Sequence, residues 1–149
     1  MEASLPPRRL VLTIQQEVAK RICAIPGDMS LLALSVQVYG LPEIIAHIPA
    51  GAFYPPPKVD STILRIDLLP SPLIPADEMD AFFKLIKAGF SQKRKTLRNA
   101  LAGGLRLSTL TVETILKNAH IDPMRRAETL SLMEWHTLTD IYTTQLSPN

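Results

Sequence analysis

The sequence carries one cysteine, Cys23, among 149 residues. No internal disulfide can close, so a secreted disulfide scaffold is excluded. His47, His120 and His136 are scattered without the close spacing of zinc ligands, and no metal is expected. Glycine is scarce, at six. None of Gly27, Gly40, Gly51, Gly89, Gly103 and Gly104 forms the glycine-rich strand-to-helix turn that cradles a nucleotide cofactor. No apolar run approaches the roughly 20 residues of a membrane span. The start, Met1-Glu-Ala-Ser-Leu-Pro-Pro7, has neither the charged head nor the apolar stretch of a signal peptide. These absences set the expectation of a cytoplasmic chain with no membrane and no metal partner.

One further absence is local. Between Lys84 and Arg106 there is no Asp or Glu, while Lys84, Lys87, Lys93, Arg94, Lys95, Arg98 and Arg106 all fall inside the window. The net charge is only +2, so the excess is a matter of placement. It reads as a phosphate-facing surface or as a solvated helix face. What is present elsewhere suffices for a core, because 46% of the residues are hydrophobic.

Thirteen prolines divide the chain. Pro49, Pro55, Pro56 and Pro57 punctuate one loop, and Pro70, Pro72 and Pro75 a second stretch, because proline lacks a ladder donor and turns its predecessor away from helix. The expected organisation is α/β followed by α: a sheet part over 1–69 with about three strands and two helices, a linker over 70–75, and a helical part over 76–149. Arg9 to Gln15 reads as a buried, parallel strand. Gln16 to Ala24 reads as a helix, and a second is capped by Asp28 or Ser30 and ended near Tyr39 by a left-handed Gly40. Glu43 to Ile48 and Val59 to Leu68 read as strands. Beyond the linker, Met79, Phe82, Phe83 and Ile86 stripe a helix ended by Gly89. Ser91 caps the next, which Gly103-Gly104 stops; a third runs from Leu110 to Asn118. Ser131-Leu-Met-Glu134 is a capping box that starts a last helix at Leu132, with Leu130 and Trp135 at staple spacing. A central strand lacking a neighbour would leave an unpaired edge, open to an artefactual dimer.

Four blocks, in order, carry a resemblance: Leu10-Val-Leu-Thr-Ile-Gln-Gln-Glu-Val-Ala-Lys-Arg21, Pro49-Ala-Gly-Ala-Phe-Tyr-Pro-Pro-Pro-Lys-Val-Asp-Ser61, Gly89-Phe-Ser-Gln-Lys-Arg-Lys-Thr-Leu-Arg-Asn-Ala-Leu101 and Ile121-Asp-Pro-Met-Arg-Arg-Ala-Glu-Thr-Leu-Ser131. Together they resemble the C-terminal half of bacterial small-subunit (16S) rRNA adenine-N6,N6-dimethyltransferases. The resemblance implies the end of a Rossmann-like S-adenosylmethionine-dependent methyltransferase sheet followed by a small helical domain. It also implies that the family's glycine-rich loop, ribose-binding acid and Asn-Leu-Pro-Tyr motif lie upstream. The parent would use S-adenosylmethionine, which this chain would not bind; the chain would hold no catalytic group and methylate nothing alone. Its partner would be 16S rRNA in a small-subunit precursor. A stand-alone RNA-binding or ribosome-assembly module is the alternative, as is the related 23S rRNA methylase group.

The resemblance assigns Phe53 to stacking on the target adenine, where an aromatic face is worth about 1–3 kcal/mol per base; without it, Phe53 reads first as a residue packed under its own loop, and Tyr54 as structural. Lys93, Arg94, Lys95 and Arg98 are the expected RNA contacts, with Arg94 and Arg98 one helical turn apart on a helix capped by Ser91. Of Arg125 and Arg126, one can reach phosphate while the other pairs with Glu128 and braces the helices.

Overall fold

The computed structural model describes residues 5–146; the outer ends of the two expected domains lie outside them. The chain separates into two compact units. One takes the chain up to Ala24 together with Leu32–Pro72, and the other takes Ile25–Leu31 with the chain from Leu73 onward. The later of the breaks between the units lies between Pro72 and Leu73, in the proline stretch. The excursion at Ile25–Leu31 has no sequence signature: Gly27 N (2.9 Å) and Met29 N (3.2 Å) both donate to the Glu128 carbonyl, and Met29 is buried.

In the sheet unit, β1 (Arg9–Gln15), β2 (Gly40–Ile48) and β3 (Ser61–Leu68) form a sheet of order β1-β3-β2. Helices α1 (Gln16–Ile22) and α2 (Leu31–Gln37) follow β1. Both outer strands run antiparallel to β3, with Leu12 and Ile44 opposite Leu64. Strand β3 alternates as its sequence demands: Thr62, Leu64 and Ile66 are buried on one face, while Ser61, Ile63, Arg65 and Asp67 lie half-buried on the other. Ala19 and Ile22 of α1 pack with Leu64 and Ile66, and Leu10, Ile14, Leu32 and Val36 close around them. On the opposite face Arg65 pairs with Glu43 and Asp67, and Arg9 with Asp67, a solvated ladder across all three strands.

This corrects the reading of β1. It is antiparallel to its neighbour and stands at an edge, with Val11 61% and Leu12 42% exposed. Its unbroken apolar run mimics a buried parallel strand, yet only Leu10 and Ile14 reach the core among the described residues. Gly40 is corrected too. It opens β2 rather than ending a helix in a left-handed turn, and a Cβ there would stand 2.8 Å from Ile66 Cγ2 and 2.9 Å from the Asp67 carbonyl. Pro42 is tolerated because β2 is an edge strand.

The helical unit holds α3 (Met79–Gly89), α4 (Leu97–Leu105), α5 (Thr109–Asn118) and α6 (Leu132–Leu146). Phe82, Ile86, Leu97, Leu101, Leu116, Leu130, Trp135 and Leu138 form its buried core. The capping box is made: Glu134 N donates to Ser131 Oγ (3.1 Å), and Ser131 N donates to Glu134 Oε2 (2.8 Å). Both expected ends of α4 move. Ser91 spends its hydroxyl on the Ala88 carbonyl (2.6 Å), finishing α3, so α4 is capped by Thr96 instead. Gly103 and Gly104 do not stop α4, which runs to Leu105 with Arg106 left-handed (φ 56°) behind it. Gly104 serves packing, since a Cβ there would lie 2.6 Å from Ala88 Cβ.

Gly89 has the same role against α6: a Cβ would meet the rigid Trp135 ring at 2.5 Å. Helix propensity favours Ala over Gly by about 1 kcal/mol, but overpacking a core costs about 1–3 kcal/mol, so the clash wins. Gly89→Ala lowers the urea midpoint of the chain; a raised midpoint would show that Trp135 can move aside.

Candidate nucleic-acid interface

Two surfaces carry the predicted site residues, one in each unit. In the sheet unit, β2 and β3 are joined by a long loop whose first residues, Ala50–Ala52, form a 3₁₀ turn. Ala52 N donates to the Pro49 carbonyl (3.0 Å) and Phe53 N to the Ala50 carbonyl (3.2 Å), so the aromatic leaves a fixed turn. Phe53 is 38% exposed and Tyr54 is wholly exposed. With Thr13, Pro55, Pro57 and Ser61 they line an open recess of about 330 Å³. Phe53 is thus neither buried nor fully exposed, and it shares the recess lining with Thr13 and Ser61. Tyr54, read from the sequence as structural, contributes to no core.

In the helical unit, the run Gln92 to Lys95 is a turn, with Lys95 N donating to the Gln92 carbonyl at 3.1 Å. Gln92, Lys93, Arg94 and Lys95 are exposed and surround an open recess of about 520 Å³. Because α4 begins only at Leu97, Arg94 and Arg98 do not share a helix face as the Ser91 cap predicted. Arg98 lies on α4 and is drawn toward α5, its Nη1 3.5 Å from Glu113 Oε2. The Glu113 carboxylate is also 3.0 Å from Lys117 Nζ. That hydrogen bond, chiefly, holds its carboxyl below the ordinary range, with Arg98 adding to it. Among the described residues, no ion pair takes Lys84, Lys87, Lys93, Arg94, Lys95, Arg106 or Arg126.

The amides at the start of α4 are not open to an anion. Leu97 N donates to the Arg125 carbonyl (2.6 Å), Arg98 N to the Pro123 carbonyl (3.1 Å) and Asn99 N to Thr96 Oγ1. Any phosphate contact here falls to side chains. The arginine pair divides its labour. Arg125 is half-buried: Nη1 lies 2.6 Å and Nη2 3.2 Å from the two Glu134 oxygens, Nη2 donates to the Thr129 carbonyl (2.7 Å), and Nε donates to Thr129 Oγ1 (3.2 Å). Its brace is Glu134, not the Glu128 suggested by proximity in sequence. Arg126 is exposed.

The sheet unit also carries a cavity of about 670 Å³ lined by Pro6, Pro7, Arg8, Tyr39, Leu68, Leu69, Pro70 and Pro72. Among the described residues there is no cluster able to hold a metal ion and no helix long and apolar enough to cross a membrane.

Ribosomal RNA adenine dimethylase is the family matched, over residues 1–138. The chain belongs to that family. It is 50% identical over 138 residues to a protein of Dehalococcoides mccartyi named ribosomal RNA small subunit methyltransferase A, covering 93% of this chain and 47% of the relative. It is 41% identical over 149 residues to the protein of that name from Clostridioides difficile, covering 99% of this chain and 52% of the relative. The chain thus spans about half the length of the curated relatives it matches. Among solved structures, a dimethyladenosine transferase from Plasmodium falciparum superposes with a TM-score of 0.77 at 20% identity, over 93% of this chain and 58% of that one. The 23S rRNA methyltransferase ErmE superposes at 0.64 with 21% identity, over 90% and 54%. Both likenesses are of fold: the antiparallel sheet and helices of the described residues superpose on those of the two solved structures.

The family assignment does not change the electrostatics of the brace. The Arg125 hydrogen bond chiefly holds the Glu134 carboxyl below its ordinary range, against burial and helped by Ser131. A carboxyl depressed in the folded state adds stability above its unfolded value, about pH 4.3, and loses it as pH falls through the folded value. Glu134→Gln keeps an acceptor for Ser131 N and removes the charge. Urea unfolding is predicted to show it about 1–2 kcal/mol less stable than wild type at pH 7, the difference closing below pH 4. A gap that persists in acid would show that shape, not charge, makes the brace.

Proposed function

We propose that this chain is the C-terminal half of a small-subunit rRNA adenine-N6,N6-dimethyltransferase, and that it supplies substrate docking and placement of the target base. The parent transfers methyl groups from S-adenosylmethionine to the N6 atoms of two adjacent adenines near the 3′ end of 16S rRNA, in a small-subunit precursor in the cytoplasm. The names of the relatives support the substrate, and their greater length supports an upstream half that holds the methyl donor.

The chemistry divides naturally along that line. An exocyclic adenine nitrogen is conjugated with its ring and is a poor nucleophile, so the reaction rests on holding it in line with the sulfonium methyl. Orientation of that kind is worth several kcal/mol, up to roughly 10. Phe53, half-exposed over its recess, is suited to receive the face of an adenine that has left its stack. Lys93, Arg94 and Lys95 on their turn, with Arg126, are suited to phosphate, each neutralised phosphate adding about 0.9 to the salt slope on duplex RNA or DNA. Arg98, shared with Glu113, contributes less, and the Arg125 guanidinium is spent on Glu134 and Thr129. The observation that carries this reading is the exposed Gln92–Lys95 turn, whose cations have no ion-pair partner among the described residues.

The chain alone should bind a 16S 3′-region RNA without binding S-adenosylmethionine. Calorimetry with S-adenosylmethionine is predicted to give no saturable heat, and a clear isotherm would refute the division of labour. Lys93→Glu with Arg94→Glu is predicted to weaken RNA binding at least tenfold and lower the salt slope by about two. Unchanged affinity would make the turn a solvated surface.

A further inference from the structure

The loop that carries Phe53 has an unusual difficulty. Pro55, Pro56 and Pro57 have no N–H to donate, so its second half cannot be pinned through those amides. Its order must come from the first residues and from the far end. The far end is Asp60, which makes three contacts with three different parts of the sheet unit. Its Oδ1 accepts from Ala50 N at 2.8 Å, part-buried, at the start of the 3₁₀ turn. Its Oδ2 lies 3.3 Å from His47 Nε2 on β2. Its carbonyl accepts from Gln16 N at 3.0 Å, where β1 gives way to α1. One residue thus closes the mouth of the loop and keys it to the end of β1, the strand whose Thr13 lines the recess. Nothing in the composition singles out Asp60; its carbonyl bond to Gln16 N extends the β1–β3 register by one pair, whereas its side-chain bond to Ala50 N lies outside any strand ladder.

We propose that Asp60 is the positioning residue of the aromatic loop: its side chain and carbonyl together hold the Ala50–Phe53 turn against the end of β1, so that Phe53 stands ready over the recess. The inference rests on Phe53 as the base-receiving group. The hydrogen bond to Ala50 N is the working contact. The His47 pair is half-exposed on both sides and contributes little. Asp60→Asn keeps an acceptor for Ala50 N, whereas Asp60→Ala removes it.

Two readouts test this. Hydrogen exchange on the full 149-residue chain is predicted to show Ala50–Phe53 amides opening at least tenfold faster in Asp60→Ala and close to wild type in Asp60→Asn. In the full-length methyltransferase, Asp60→Ala is predicted to lower kcat tenfold or more with KM for small-subunit particles within about twofold, and Asp60→Asn to restore most of the loss. The double variant with Phe53→Ala is predicted to be no worse than Phe53→Ala alone, because both remove one function. Unchanged exchange in Asp60→Ala overturns the clamp. So does an Asp60→Asn variant as impaired as Asp60→Ala, or losses that add in the double variant. Wild-type turnover in Phe53→Ala overturns the base-receiving reading, and with it any part of the clamp in the reaction, while leaving the exchange result to stand as a fact about the loop.

Discussion

The helical unit depends on Arg125 more than on any other polar residue. Its guanidinium grips Glu134 and the Thr129 carbonyl, while its own carbonyl takes the Leu97 amide at 2.6 Å. One residue therefore joins the start of α4, the 3₁₀ turn Ala127–Thr129 and the capping box of α6. The arrangement consumes the helix-end amides of α4 that would otherwise attract an anion. What remains for an anionic partner is the turn just before that helix end, whose lysines and arginine stand in solvent. Braced and solvent-exposed cations are thus separated between adjacent segments, and in the Arg125-Arg126 pair between adjacent residues.

The sheet unit solves a different problem, that of presenting aromatics without burying them. Strand β3 lies between its neighbours and supplies Leu64 and Ile66 to the core, so the loop entering it can be long without disturbing the ladder. Phe53 and Tyr54 then sit on a segment anchored at its start by a 3₁₀ turn and at its end by Asp60. A group held in place before its ligand arrives loses little entropy on binding. Val11 and Leu12 stand exposed on β1, an edge strand of this sheet.

How much of this could be read from the sequence depends on the kind of interaction. Local signals were legible: Ser131-Leu-Met-Glu134 gave the start of α6 to the residue, and alternation gave the faces of β3. The family was legible from four ordered blocks. Signals that depend on a neighbour were not. Gly40, Gly89 and Gly104 look like chain breakers, yet each answers to a close approach by Ile66, Trp135 or Ala88. Ser91 looked like a cap and turned out to serve the helix before it. That displacement moved Lys93, Arg94 and Lys95 off the helix and onto a turn. The apolar run of β1 could not reveal its direction, because register is set by the partner strand. Asp60 carried no local signature, since its contacts lie on His47, Ala50 and Gln16.

The central claim is that this chain meets ribosomal RNA through an aromatic loop and a cationic turn. Ultraviolet cross-linking of the enzyme to immature small-subunit particles, with the linked peptides identified by mass spectrometry, tests it most directly. The account predicts adducts on the Phe53–Tyr54 segment and on the Gln92–Lys95 turn, with Arg125 unmodified. Adducts confined to other surfaces, with both segments bare, would contradict it.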